Sequence, residues 1–357
     1  ATDRTQKRTY THVVKDELGA TWETVIRICI LFGNAGILIV FIIVIGDILV
    51  GTTELRGLIP ALLGPRTVGT LLSCRWFVML VATLALILPL VSLRNISSLE
   101  FASTTGVAVA AALSVLGIIL STIAVASGGL SDVEWWIPKG SLGMKLIPTT
   151  FGAISTYVFA YFVNQELPPL MEGLRVYTRK NAMTATLSAM ALCFVIHVLV
   201  QVPMYVAFGS NTKGDILLNL TPAGLAPLIG AGAGEFVGDA VLICYAIKVI
   251  AIFPMINWPL RESLSDFIFR TPRPEGWRFY SCTYGILAVV YLIAVFVRRV
   301  TVAIDYVGST AGVAIAFLAP AFMIYNEAGH RKGSKIEAAV FLASGILVFL
   351  STFSNNI

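Results

Sequence analysis

The chain alternates between long unbroken apolar stretches and short polar connections. The stretches run over residues 22–50, 76–93, 101–126, 146–170, 182–208, 236–260, 277–297, 301–325 and 336–353. Each approaches the ~20 residues that a helix rising 1.5 Å per residue needs to cross ~30 Å of hydrocarbon. Helices are required because an unpaired backbone N–H or C=O is costly in lipid, and a closed barrel would instead read as alternating segments of ~10 residues. The pattern therefore predicts an all-α polytopic membrane protein with about nine transmembrane helices. Residues 1–21 read as a basic N-terminal arm and 22–356 as a single transmembrane helical domain.

Composition supports that reading. Of 357 residues, 57% are hydrophobic and only 13% charged, whereas a soluble domain carries roughly 25% charged residues to cover its surface. The net charge of +5 would point to nucleic acid in a soluble protein; here it follows from basic loops on one side of a bilayer, and no nucleic-acid partner is expected. The arm (Arg4, Lys7, Arg8, Lys15), Arg94 and the links at 172–180, 261–278 and 331–335 hold 15 basic residues on one side, against 8 on the other. The richer side is predicted to be cytoplasmic or its equivalent. The longest connections, 51–75, 127–145 and 209–235, fall on the far side. Gly230–Gly234 with its neighbouring prolines reads there as loop or re-entrant structure, and the sequon at Asn219 carries little weight because Pro222 follows it. Five scattered cysteines form no metal or disulfide pattern.

Polar residues at membrane depth mark where function could lie. The richest segment, 156–169, holds Thr156, Tyr157, Ala160, Tyr161, Asn164, Gln165 and Glu166 before Pro168 and Pro169. The prolines must break the helix, which leaves backbone donors and acceptors free for a zwitterionic or ionic substrate; the simpler alternative is a kink satisfied by neighbouring helices. Lys248 sits mid-run in 236–260, either as a proton-exchanging charge or paired with Asp47, Glu166, Asp239 or Asp305. Asn34, between Gly33 and Gly36, fits a ligand contact or, more simply, close helix packing. The small residues after Asp305 suit packing or a gate, His197 reads as a bundle residue, and Trp76, Trp135 and Trp136 read as interfacial anchors. There is no P-loop, dinucleotide fingerprint, HExxH or nucleophile elbow, so neither enzymatic chemistry nor a cofactor is expected.

These segments resemble a known family. Residues 159–174 are similar to the sixth-helix signature of the amino acid/auxin permease family: an aromatic-rich broken stretch, then Glu166, the prolines and Glu172 before a basic loop. Residues 253–261, with Pro254, Pro259 and Arg261, resemble the end of that family's eighth helix, and 305–325 its tenth, in the same order. The resemblance implies a LeuT-like inverted-repeat fold in which Thr156, Tyr157, Ala160, Tyr161 and Asn164 contact the substrate, with Lys248, Glu166, Asn34 and Asp305 in coupling or gating. Laid on the family pattern, the chain begins just before the third helix, so helices 3–11 are expected and the first two are not. Sodium-coupled members place Ser or Thr where this chain has Ile250, Ala251 and Ile252, which implies proton coupling or exchange. The implied function is secondary active transport of amino acids across a membrane, with lipids as the surroundings and an organellar membrane as one option. The alternative is a transport-inactive, transporter-derived subunit packed against other membrane subunits. A channel is a third reading, without a visible filter sequence.

Overall fold

The computed structural model describes residues 9–52, 55–64, 69–93, 97–128, 133–134, 157, 160–161, 178–271, 274–297, 307–327 and 332–356. Among these residues there is no strand, and one isolated bridge joins Gly51 to Arg56. The helices are α1 (Tyr10–Leu18), α2 (Ala20–Val50), α3 (Leu58–Leu63), α4 (Arg75–Ser92), α5 (Ser97–Ala126), α6 (Arg179–Phe208), α7 (Pro222–Ile229), α8 (Ala231–Phe269), α9 (Trp277–Phe296), α10 (Gly308–Asn326) and α11 (Lys332–Asn356). Seven described helices, α2, α4, α5, α6, α8, α9 and α10, are long and apolar enough to cross a membrane. The 336–353 run lies within α11, and the 146–170 run lies outside the described residues except for 157, 160 and 161.

Two helices organise the bundle. α2 packs along α8 in antiparallel register, joined near one end by Arg27 to Asp266 and further along by Phe41 against Phe253, whose ring centroids are 6.4 Å apart. α4 and α9 close over the same core, where Leu38 and Ile42 of α2 meet Met79, Phe253 and Val290. A second core lies where α5 meets α6, α7 and α8, around Leu120, Met204, Leu220 and Leu225. The longest spanning helices, α2, α5, α6, α8 and α9, carry apolar residues on every face, so hydrophobicity alone cannot say which face meets protein.

α10 carries two π-helical segments, Gly308–Gly312 and Ala314–Leu318, and the first lies directly on α2. A Cβ on Gly36 would collide with the Val307 side chain, so this contact requires glycine. The small residues after 305 therefore serve close packing here.

The described part of the basic arm, from residue 9 on, folds as well. Tyr10, Val13 and Val14 of α1 bury against Ile26 and Ile30 of α2 and against Ile315, Ala319 and Met323 of α10. The Tyr10 hydroxyl donates to the Ile315 carbonyl at 3.2 Å, and burial pushes its ionisation upward, which keeps it a donor.

Two boundaries differ from the sequence reading. Gly230 is the turn between α7 and α8, and helix begins at Ala231, so most of the glycine cluster is helical. Gly234 and Gly238 bring α8 close to the 220–226 backbone, which is why small residues stand there. At its other end α8 runs through Pro254 and Pro259 to Phe269, 39 residues in all. Arg261 and Asp266 engage neighbouring helices beyond the prolines, so packing sustains the helix past both missing donors.

Candidate functional site

The described part of the 156–164 segment is one helical turn, closed by the Tyr161 N–H donating to the Tyr157 carbonyl at 3.0 Å. Its two tyrosines address α6. The Tyr157 hydroxyl donates to Gln201 Oε1 at 2.8 Å, and the Tyr161 hydroxyl lies 3.4 Å from His197 Nδ1, with ring centroids 5.5 Å apart. Residues 157 and 161 are one turn apart, as are 197 and 201, so the two pairs stack along one seam. Tyr157 and Ala160 are exposed, and Tyr161 is half-buried. Thr156, Asn164, Glu166 and Asp305 lie outside the described residues.

Gln201 did not stand out in the sequence, and His197 read only as a bundle residue. The available signal was their spacing: two polar side chains four residues apart in an otherwise apolar run mark one face of a helix.

Lys248 and Asn34 stand elsewhere. Lys248 Nζ sits 5.3 Å from the Tyr245 ring centroid, and among the described residues no carboxylate lies within ion-pair distance of it. Asp47, one of its possible partners, is instead held by Arg75, whose Nη2 and Nε reach the same oxygen at 2.7 and 3.0 Å. Asp239 keeps one buried oxygen without a hydrogen-bond partner among the described residues. Asn34 is fully buried in α2 between the two glycines that receive α10.

A cavity of about 530 Å³ opens at the far end of the bundle, between the ends of α5 and α6, the 209–221 connection and α7. Asn219 fixes its wall: Oδ1 accepts the Lys213 N–H at 2.8 Å and Nδ2 donates to the Asn211 carbonyl at 2.9 Å. With its amide buried and engaged at both ends, Asn219 is a structural residue here. In the same connection Asp215 caps the 216–218 turn by accepting the Leu217 N–H at 3.0 Å. Loss of solvent raises the Asp215 ionisation although part of the side chain reaches water, and the Leu217 bond opposes the shift. A carboxyl raised in the folded state favours folding while protonated, and that contribution disappears as pH rises through the folded value. Asp215→Asn, which keeps the capping oxygen, should therefore raise the thermal transition at pH 7. The gain should shrink toward pH 4; a gain independent of pH would show that the charge is not the cause.

Comparison with known proteins places this architecture. A family model described as transmembrane amino acid transporter protein matches residues 2–354. Amino acid transporter AVT6B of Arabidopsis thaliana is 29% identical over 360 residues, covering 98% of this chain and 75% of its own. Amino acid transporter AVT6D of the same plant is 26% identical over 358 residues, covering 99% of this chain and 79% of its own. Vacuolar amino acid transporter 6 of Saccharomyces cerevisiae is 22% identical over 392 residues, covering 95% and 80%. No solved structure matches the chain.

Proposed function

Since the chain belongs to the transmembrane amino acid transporter protein family and is a multi-pass integral membrane protein, we propose that it carries amino acids across a membrane as a secondary transporter and performs no covalent chemistry. The relatives named as amino acid transporters support transport over a purely structural role. The relative named as vacuolar supports an organellar membrane.

The substrate site is the 156–164 segment, with Thr156, Tyr157, Ala160, Tyr161 and Asn164 as its contacts. The observation that carries this assignment is the seam of Tyr157 on Gln201 and Tyr161 on His197. Aromatic hydroxyls held along such a seam offer both apolar surface and hydrogen bonds to a zwitterion. Coupling is by protons or by exchange rather than by sodium. Residues 250–252 of α8 offer no side-chain oxygen, and the tip of Ile252 packs where α5 passes at Gly106. Lys248, Glu166, Asn34 and Asp305 are the candidate coupling and gating residues.

The test is uptake into proteoliposomes of a mixture of the twenty radiolabelled proteinogenic amino acids. Tyr161→Ala and Asn164→Ala should each lower uptake about tenfold or more, the effect of ~1.4 kcal/mol lost at binding. Uptake unchanged in both would remove the site from this segment.

A further inference from the structure

We propose that His197 carries the transported proton and that Tyr161 conveys its charge state to the substrate. This rests on reading the 156–164 segment as the substrate site.

Position is the first ground. His197 lies 15 residues into the 182–208 run, roughly 22 Å along a helix of 1.5 Å per residue, and so at membrane depth. A titratable side chain is costly there and calls for a role. Histidine is also the side chain that ordinarily changes charge between pH 5 and 8.

The surroundings are the second ground. α6 packs chiefly on α5, whose sequence carries Glu100 near its start and no titratable side chain over residues 103–126. The 157–161 turn brings Tyr157 and Tyr161, and the 209–211 turn brings none. Glu134 approaches farther along, where its carbonyl accepts the Tyr205 hydroxyl at 2.9 Å. On α6 itself stand Cys193 and Tyr205, with Arg179 and Lys180 at the start and Lys213 just past the far end. Among the described residues no ion pair is made by His197.

The third ground is the hydrogen bond. When Nδ1 bears no proton, the Tyr161 hydroxyl donates to it across the 3.4 Å contact, and the phenolic oxygen offers only lone pairs to a bound substrate. When both ring nitrogens are protonated, Nδ1 becomes the donor, and the Tyr161 hydroxyl must turn its proton elsewhere. The substrate then meets a donor suited to an amino acid carboxylate. Proton binding and substrate binding thereby favour each other, and linkage makes the effect reciprocal. The imidazole takes its proton from water on one side and returns it to water on the other, and no covalent bond to substrate forms.

The experiment uses the purified protein in proteoliposomes with an imposed pH gradient and the same mixture of twenty radiolabelled amino acids. Accumulation is measured against the gradient, and counterflow exchange is measured without one. In His197→Gln, which keeps hydrogen bonding but cannot titrate, gradient-driven accumulation should fall to the equilibrium ratio while counterflow persists. In Tyr161→Phe the pH dependence of substrate affinity should flatten. Accumulation as in the wild type for His197→Gln would overturn the proposal. Loss of counterflow together with accumulation in a variant that still melts cooperatively would also overturn it, since His197 would then belong to the binding site itself. If His197→Gln does not fold, Tyr161→Phe decides, and an unchanged pH dependence there overturns the proposal. Wild-type protein that transports indifferently to the gradient would end this proposal and leave the transport reading standing. Wild-type protein with neither uptake nor counterflow would end the transport reading.

Discussion

Arg27→Ala should lower the stability of the folded protein by about 3–5 kcal/mol, the usual cost of removing one partner from a buried ionic cluster. Arg27 is 5% exposed, and its Nη2 reaches Glu23 Oε1 at 2.6 Å and Asp266 Oδ2 at 2.7 Å. The substitution leaves two carboxylates, 11% and 17% exposed, without the cation between them. Lys15 also reaches Glu23, at 3.0 Å, but it is half-exposed and offsets little of the loss. The cluster joins the end of α1 and the start of α2 to the end of α8, so its loss loosens the helix pair on which the rest of the bundle packs. The measurement is the thermal transition of detergent-solubilised protein, with Lys15→Ala as the control expected to shift it far less. Arg27→Lys should recover only part of the loss, because the ammonium is more strongly hydrated than a guanidinium and so costs more to bury between the two carboxylates. A transition unchanged by Arg27→Ala would mean that the three charges reach water in the folded protein.

The spanning helices were legible because lipid imposes a length and forbids unpaired backbone, and both constraints are written in the apolar runs. Their neighbours were not legible. A helix apolar on every face gives no sign of which face meets protein, so the pairing of α2 with α10 rests on details such as Gly36 against Val307, and its pairing with α8 on Phe41 against Phe253. The spacing of Glu23 and Arg27 was visible in the sequence, but the third member, Asp266, lies in another helix that only the fold brings near. The glycines at 230–234 misled because glycine serves turns and close helix packing alike. In the site, Pro168 and Pro169 singled out the segment containing Tyr157 and Tyr161. Its counterpart on α6 was hidden, since the i, i+4 spacing of His197 and Gln201 acquires meaning only once two hydroxyls face it.

Arg261 supplies the second large effect, and it separates charge from shape. The resemblance placed this residue at the end of the eighth helix; in the structure it lies inside α8 and is 4% exposed. Its guanidinium carbon sits 4.1 Å from the Phe279 ring centroid and 5.0 Å from that of Trp258. Nη1 donates to the Val91 carbonyl near the end of α4 and to Thr283 of α9, each at 3.4 Å. One side chain thus holds three helices together. The hydrogen bonds are long, so the aromatic contacts dominate, at ~0.5–2 kcal/mol each when desolvated. With the packing lost on truncation added, Arg261→Ala should destabilise the protein by about 2–4 kcal/mol. Arg261→Lys keeps the charge but not the flat face that lies on the ring, and should forfeit more than half of that amount. Thermal transitions of the two variants decide between the causes. A lysine as good as arginine would assign the hold to charge alone, whereas a lysine nearly as poor as alanine would assign it to the stacked plane that locks α8 to α9.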